Sequence, residues 1–165
     1  MDILIIFAAQ YLLPLVILFS FLIWLRLGKI PKKGILKVGL IAFPLSYLIA
    51  AIFKIFIYES RPFVVENVKP LIPHAPDNSF PSDHTLLILT VASVFYIYNR
   101  KLGIFIFLLG LVVGLARVMA KVHYPIDIIT SGVIAILSTY GANFLLLKNS
   151  RINSLLNQFS SRVVR

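Results

Sequence analysis

Cysteine is absent from the 165 residues, which removes disulfides, thiolate nucleophiles and cysteine-ligated metal from consideration. Acids are scarce as well: six Asp and Glu stand against 16 Lys and Arg, for a net charge of +10. Charge of either sign is thin, at 13% of the residues where soluble domains carry about 25%. That shortage excludes the soluble nucleic-acid binder that a strongly basic chain first suggests, because 59% of the residues are hydrophobic and the mean hydropathy is +0.95. Internal repeats and low-complexity linkers are also missing, so one compact unit is expected.

What the chain has in abundance is long apolar runs. Crossing the hydrocarbon core takes about 20 mostly apolar residues. Five stretches come near that length, 3–25, 35–58, 82–98, 102–118 and 126–147, the third and fourth being short. None shows the polar–apolar alternation of a membrane β-strand, so the expected fold is all-α, a polytopic transmembrane helix bundle of about five spans. No Lys or Arg precedes the first apolar run, which is too long for a signal-peptide core and is expected to remain as a helix. The expected division is a transmembrane unit, 1–148, and a basic tail, 149–165. In that tail Ile152, Leu155, Leu156 and Phe159 recur at helical spacing among polar residues, as in a helix lying on the cytoplasmic leaflet.

Joining the spans places Arg26, Lys29, Lys32, Lys33, Lys37, Arg100, Lys101, Lys148, Arg151, Arg162 and Arg165 on one side. These eleven of the 16 cations mark the cytoplasmic face by the positive-inside rule. The other side holds Lys54, Arg61, Lys69, Arg117 and Lys121 with all six acids and all three histidines. Chemistry is therefore expected on the exterior side of a prokaryotic plasma membrane, where the connections 58–81 and 119–125 emerge.

Three segments on that side carry reactive side chains. In the first, Lys54 sits near the outer end of an apolar helix and Arg61 precedes Pro62. Each alone reads as a snorkelling lysine or a loop cation, but together they offer a point charge and a planar fork, two complementary ways to hold phosphate oxygens. In the second, 78–85, Pro81, Ser82 and Asp83 are helix-start residues and His84 follows in the first turn. A helix N-terminus presents free N–H groups and the positive end of the dipole, so His84 is placed beside a ready anion site. In the third, 116–127, Pro125 suits the first turn of a helix, and His123 and Asp127 fall one turn apart on one face. The carboxylate can then accept from one imidazole nitrogen and leave the other free for attack. Arg117 adds a third cation, and a cation cluster with no matching acids calls for an anion such as phosphate or pyrophosphate.

The pattern Lys-x6-Arg-Pro, Pro-Ser-x-His and Arg-x5-His-x3-Asp, here Lys54/Arg61/Pro62, Pro81/Ser82/His84 and Arg117/His123/Asp127, resembles the type-2 phosphatidic acid phosphatase superfamily of integral-membrane lipid phosphatases. The string Asn-Ser-Phe-Pro-Ser-Asp-His-Thr is similar to the bacterial undecaprenyl-pyrophosphate phosphatase branch. Asp83 stands where the family usually has Gly, and Ala116 where it usually has Ser; the family often has six spans. The resemblance implies that His123 attacks phosphorus to form a phosphohistidine, Asp127 holds its ring, and His84 protonates the leaving oxygen and later activates water. It implies that Lys54, Arg61, Ser82 and Arg117 bind the phosphate oxygens, with no metal and no cofactor.

The implied partner is a membrane lipid carrying phosphate or pyrophosphate, with polyprenyl pyrophosphate the first choice. Lipid A and phosphatidylglycerol phosphate are alternatives, as are broad specificity and a transporter that holds lipid phosphates without hydrolysing them. A metal-dependent hydrolase using His84, His123 and Asp127 as ligands is a third reading. Glu59, Glu66, Lys69 and His74 are expected on a solvated loop face, Gly110 and Gly114 at a helix contact, and Trp24 at the membrane interface.

Overall fold

A computed structural model describes residues 2–163, apart from the side chains of Ser150 and Arg162. Met1, Val164 and Arg165 lie outside the described residues, so of the tail cations the side chains of Arg162 and Arg165 are not described. Eight helices follow in order: α1 (Asp2–Gln10), α2 (Leu12–Arg26), α3 (Lys29–Phe56), α4 (Pro62–Val65), α5 (Asp83–Tyr98), α6 (Arg100–Met119), α7 (Pro125–Lys148) and α8 (Ser150–Val163). The described residues form an all-α bundle without a named strand.

The apolar stretches explain most of these helices, with two corrections. The first run is not one straight span: α1 and α2 meet at a bend of 48°. Pro14, early in α2, lacks an N–H and its ring crowds the carbonyl four residues back, at Gln10, where the helix breaks. The second is that α6, on a run expected to be short, has 20 residues. α3, α6 and α7 are each long and apolar enough to cross a membrane, and the bent α1–α2 pair passes the same test when taken together. By contrast α5 has 16 residues, which at 1.5 Å per residue is about 24 Å, short of the roughly 30 Å hydrocarbon core.

That short helix is the centre of the molecule. It is apolar nearly all round, packs against α3, α6 and α7, and buries Leu86, Ile88, Leu89, Val94 and Phe95. The approach of α6 depends on its glycines, as expected. A Cβ on Gly110 would lie 2.6 Å from Leu89 Cδ2, and one on Gly114 would lie 2.6 Å from Ile128 Cγ2. The outward faces of the same helices are covered with apolar side chains such as Leu18, Leu108, Leu115, Leu137 and Phe144, the surface a bilayer solvates.

At the opposite end from the histidines, Lys37 Nζ on α3 donates to Asn153 Oδ1 (2.9 Å) and Asn157 Oδ1 (3.0 Å), and Ile152 and Leu156 pack on the core. These contacts dock α8 on the bundle, while its Leu155 and Phe159 are exposed.

At the histidine end, residues 57–81 fold down as a structured cap. Asn78 ties it together: its Oδ1 accepts from the N–H groups of Glu59 (3.1 Å) and Phe80 (3.0 Å), and its Nδ2 donates to the Ile57 carbonyl (2.8 Å). The Phe63 and Leu71 N–H groups donate to the carbonyls of Lys121 and Ala120 just past α6. Ile72, Ala9, Ala116, Ala120 and Val122 form a small apolar cluster beneath the cap. Ala116, at the position where a serine hydroxyl is expected, therefore contributes packing.

Candidate active site

The turn that delivers His123 is written into the end of α6. Lys121 N–H bonds the Val118 carbonyl (3.0 Å) and Val122 N–H bonds the Arg117 carbonyl (3.2 Å), the two reversed bonds of a Schellman turn. Lys121 occupies its left-handed position, at φ 63°. The chain thus reverses sharply, and Tyr124 becomes the N-cap residue of α7 with Pro125 in the first turn. Asp127 Oδ2 accepts from the Tyr124 N–H (2.9 Å) and pairs with His123 Nδ1 at 3.1 Å. Asp127 is fully buried and His123 is 3% exposed, so both side chains are locked. This geometry places the proton on Nδ1, facing the carboxylate, and leaves a lone pair on Nε2.

Burial is the main reason that His123 is held down to about 4. The Asp127 hydrogen bond opposes that shift, and the charges of Arg117 and Arg61 reinforce it. The imidazole is therefore neutral near pH 7, as a nucleophile must be.

Cations surround the free nitrogen. Arg61 Nη1 lies 3.5 Å from His123 Nε2 and donates to the Val122 carbonyl at 2.6 Å. Arg117, at the end of α6, is 2% exposed and donates through Nη1 to the Ala9 carbonyl (3.3 Å) in the last turn of α1. Its Nε is buried with no hydrogen-bond partner, an unsatisfied donor of the kind a bound oxyanion would relieve. His84 stands in the first turn of α5, near enough to Arg117 and His123 to feel their charges. Ser82 is the N-cap residue of α5, yet its side chain makes no capping bond to that helix. Its buried hydroxyl instead accepts from Thr85 Oγ1 (3.2 Å), leaving the first-turn N–H groups uncapped by it.

The cations are not without acids, contrary to the expectation from sequence. Lys54 Nζ pairs with both carboxylate oxygens of Asp83 (2.8 and 2.6 Å), and Arg61 Nε with Asp77 Oδ1 (2.7 Å). These partners lie 29 and 16 residues away in sequence: Lys54 and Asp83 meet where the end of α3 packs beside the start of α5, and Arg61 and Asp77 meet within the cap. Among the three cations, Arg117 alone has no acid within ion-pair distance among the described residues.

Several further groups belong to this site. His74, expected on a solvated face, is half-buried with its ring edge-on to His123, centroids 6.2 Å apart. Burial, then the Arg61 charge, holds His74 below the ordinary imidazole range. Glu59, also expected in solvent, is half-buried; burial, then the Asp127 carboxylate, raises its carboxyl above the ordinary range. Glu66 and Lys69 are exposed as expected, with Glu66 pairing with Lys121. Ser131, a full turn beyond Asp127, donates to the carbonyls of Asp127 (2.7 Å) and Ser82 (2.9 Å), so one hydroxyl fixes α7 against the start of α5. The readable signal was a serine on the His123/Asp127 face of an otherwise apolar helix. Among the described residues no group of three or more His, Asp or Glu side chains is arranged to hold a metal ion.

Comparison with known proteins places the chain in a family. A family model described as the PAP2 superfamily matches residues 35–151, which include every motif residue named above. The chain belongs to the PAP2 superfamily. Like the members it resembles, this PAP2 protein is an integral-membrane phosphatase. It is similar to undecaprenyl-diphosphatase BcrC of Bacillus subtilis, 34% identical across 100% of this chain and 81% of the relative. It also resembles a Bacillus licheniformis protein named bacitracin transport permease protein BcrC, 29% identical over 93% of this chain and 75% of that one. Among solved structures, Aquifex aeolicus LpxE superposes with a TM-score of 0.64 at 27% identity, covering 84% of this PAP2 chain and 80% of its own.

Proposed function

We propose that this lipid phosphatase removes the terminal phosphate of a polyprenyl diphosphate, of the undecaprenyl class, through a phosphohistidine on His123. The observation that carries the mechanism is the His123 Nδ1–Asp127 Oδ2 contact, 3.1 Å and buried, which leaves a neutral Nε2 among cations. Binding alone would require no oriented nucleophile. The substrate class is supported by the undecaprenyl-diphosphatase from Bacillus subtilis that aligns with the whole chain.

In this reading Nε2 attacks the terminal phosphorus as the bond to the bridging oxygen breaks, and His84 gives that oxygen its proton, releasing the polyprenyl monophosphate. Water then attacks the phosphohistidine, His84 takes its proton, and cleavage of the P–N bond frees inorganic phosphate. Arg61, Arg117, Lys54 and the N-terminus of α5 stabilise the charge that spreads over the equatorial oxygens. The Ser82 hydroxyl, which accepts from Thr85 Oγ1 and keeps its own proton to donate, adds a contact to those oxygens at the same N-terminus. The lipid tail remains in the bilayer beside the exposed apolar faces of the bundle.

The site faces the exterior and the basic loops and tail face the cytoplasm, a reading supported by the eleven cations that the sequence order puts in the connections and tail away from the histidines. In the same reading, α8 lies on the cytoplasmic leaflet with Leu155 and Phe159 toward the acyl chains. A reporter fused into 58–81 that responds as cytoplasmic overturns the orientation.

The relative named as a transport permease keeps a non-hydrolytic reading in view. The deciding assay is phosphate release by detergent-solubilised protein from polyprenyl diphosphate, phosphatidylglycerol phosphate and lipid A, each with and without EDTA. Polyprenyl diphosphate is expected to be hydrolysed fastest and the rate to survive EDTA. Release from none of the three favours the carrier, and loss of activity in EDTA sinks the metal-free mechanism.

A further inference from the structure

We propose that Asp83 is an internal competitor for the phosphate-binding lysine: its carboxylate holds Lys54 in the empty site and reclaims it to expel the phosphate product. The inference rests on Lys54 as a phosphate ligand and adds to that reading a means of release.

A carboxylate inside an anion site repels the very group the site must hold, so its presence calls for a role. Asp83 is not there for packing, since its side chain is 51% exposed. Among the described residues its oxygens have one hydrogen-bond partner, Lys54 Nζ, and both oxygens use it, at 2.8 and 2.6 Å. Lys54 is 35% exposed at the last turn of α3, so its long stem can swing without repacking the core.

The three cations differ in this respect. Arg117 has no acid partner among the described residues and is buried. Arg61 is held by Asp77, but the Val122 and Asn78 carbonyls also fix its guanidinium, at 2.6 and 3.2 Å, so losing the acid would not free it. Lys54 is the cation that can be both released and reclaimed. An exposed ion pair in high dielectric is weak and yields to a more highly charged anion. A phosphoryl group gathering charge on its equatorial oxygens is such an anion. Once the P–N bond is cleaved, inorganic phosphate has no covalent hold on His123. Asp83, tethered to α5 at high effective concentration, then competes again for the ammonium. A competitor of this kind weakens binding of every tetrahedral oxyanion by a similar factor and hastens product departure.

The test uses the full chain carrying Asp83→Asn, Asp83→Gly or Asp83→Glu, each alone and with Lys54→Ala. Inhibition constants for inorganic phosphate and orthovanadate are measured in the phosphate-release assay. Phosphate binding without turnover is followed by calorimetry. Asp83→Asn and Asp83→Gly are expected to tighten both oxyanions about tenfold and to lower KM without raising kcat, the signature of removing a competing charge. Asp83→Glu is expected to stay within about twofold of wild type, and the gain from Asp83→Asn should vanish when Lys54 is absent, as coupling between contacting residues requires. The proposal is overturned if Asp83→Asn changes phosphate affinity less than about twofold, or if its gain persists in full on the Lys54→Ala background. Should Asp83→Gly fail to fold, Asp83→Asn, which keeps the side-chain shape, decides. A wild-type protein that binds inorganic phosphate but hydrolyses no polyprenyl diphosphate defeats the substrate reading, while the calorimetric comparison still tests Asp83.

Discussion

The two halves of the site are built differently. The half around His123 is made of neighbours in sequence: a Schellman turn at Lys121, the Tyr124 N–H on Asp127, and Asp127 on His123, all within a few residues, with His123 and Asp127 buried. The half around Lys54 and Arg61 depends on distant chain: the 57–81 cap, tied by Asn78 and the Arg61–Asp77 pair, and the Lys54–Asp83 pair between α3 and α5, with carboxylates 62% and 51% exposed. The difference teaches that the proposed nucleophile is fixed by local contacts, whereas part of the proposed oxyanion grip is held by exchangeable pairs. Buried, locally fixed groups cost little to organise at the moment of reaction; exposed pairs can trade partners.

The largest expected effect tests the preset half. His123→Ala should lower kcat for phosphate release at least about 10⁴-fold with the fold intact, since no other group can form the intermediate. A variant as active as wild type, checked by radiolabelled phosphate trapping on the protein, would break the assignment. Next in size is a direct contrast between halves. Arg117→Ala should cost about 10²- to 10³-fold in kcat, the usual loss of a buried oxyanion donor, while Lys54→Ala should act mainly on KM. Equal effects of the two variants on kcat would erase the proposed distinction between fixed and exchangeable cations.

The electrostatics of the preset half give a third handle. Nitrogen-15 NMR of labelled histidine should show His123 titrating far below ordinary imidazole, at about 4. Arg117→Gln removes a charge that lowers it, so the midpoint must move up, leaving less neutral imidazole in mild acid. A midpoint that moves down, or a wild-type value near 6.5, contradicts the buried-nucleophile account. The smallest effect is structural. Lys121 holds φ 63° without being glycine, so Lys121→Gly should relieve roughly 1 kcal/mol of strain. Loss of its exposed pair with Glu66 offsets less than about 1 kcal/mol of that, and thermal unfolding should rise slightly; a clear fall would mean the turn is held by the side chain.

Legibility in the sequence followed the same division. His123 and Asp127 were readable because four residues separate them and a helix fixes what that spacing means. Asp77 on Arg61, Asp83 on Lys54 and Ser131 on the Ser82 carbonyl were not, because separations of 16, 29 and 49 residues carry no geometric rule. Glu59 and His74 looked like loop residues for that reason, and the bend at Pro14 was hidden inside a run apolar enough to be one helix.

By itself the sequence determined that the chain is a helical membrane bundle with its reactive residues gathered at one end, because apolar run length and helical spacing are local quantities. It also determined that the Asp127 carboxylate holds the His123 ring. Only the tertiary structure decided which acid faces which cation, that Arg117 rests on the carbonyl of Ala9 in the bent first helix, and that the cap brings His74 against His123. Those pairings depend on how a long loop closes over packed helices, and that is settled by the sum of many distant contacts.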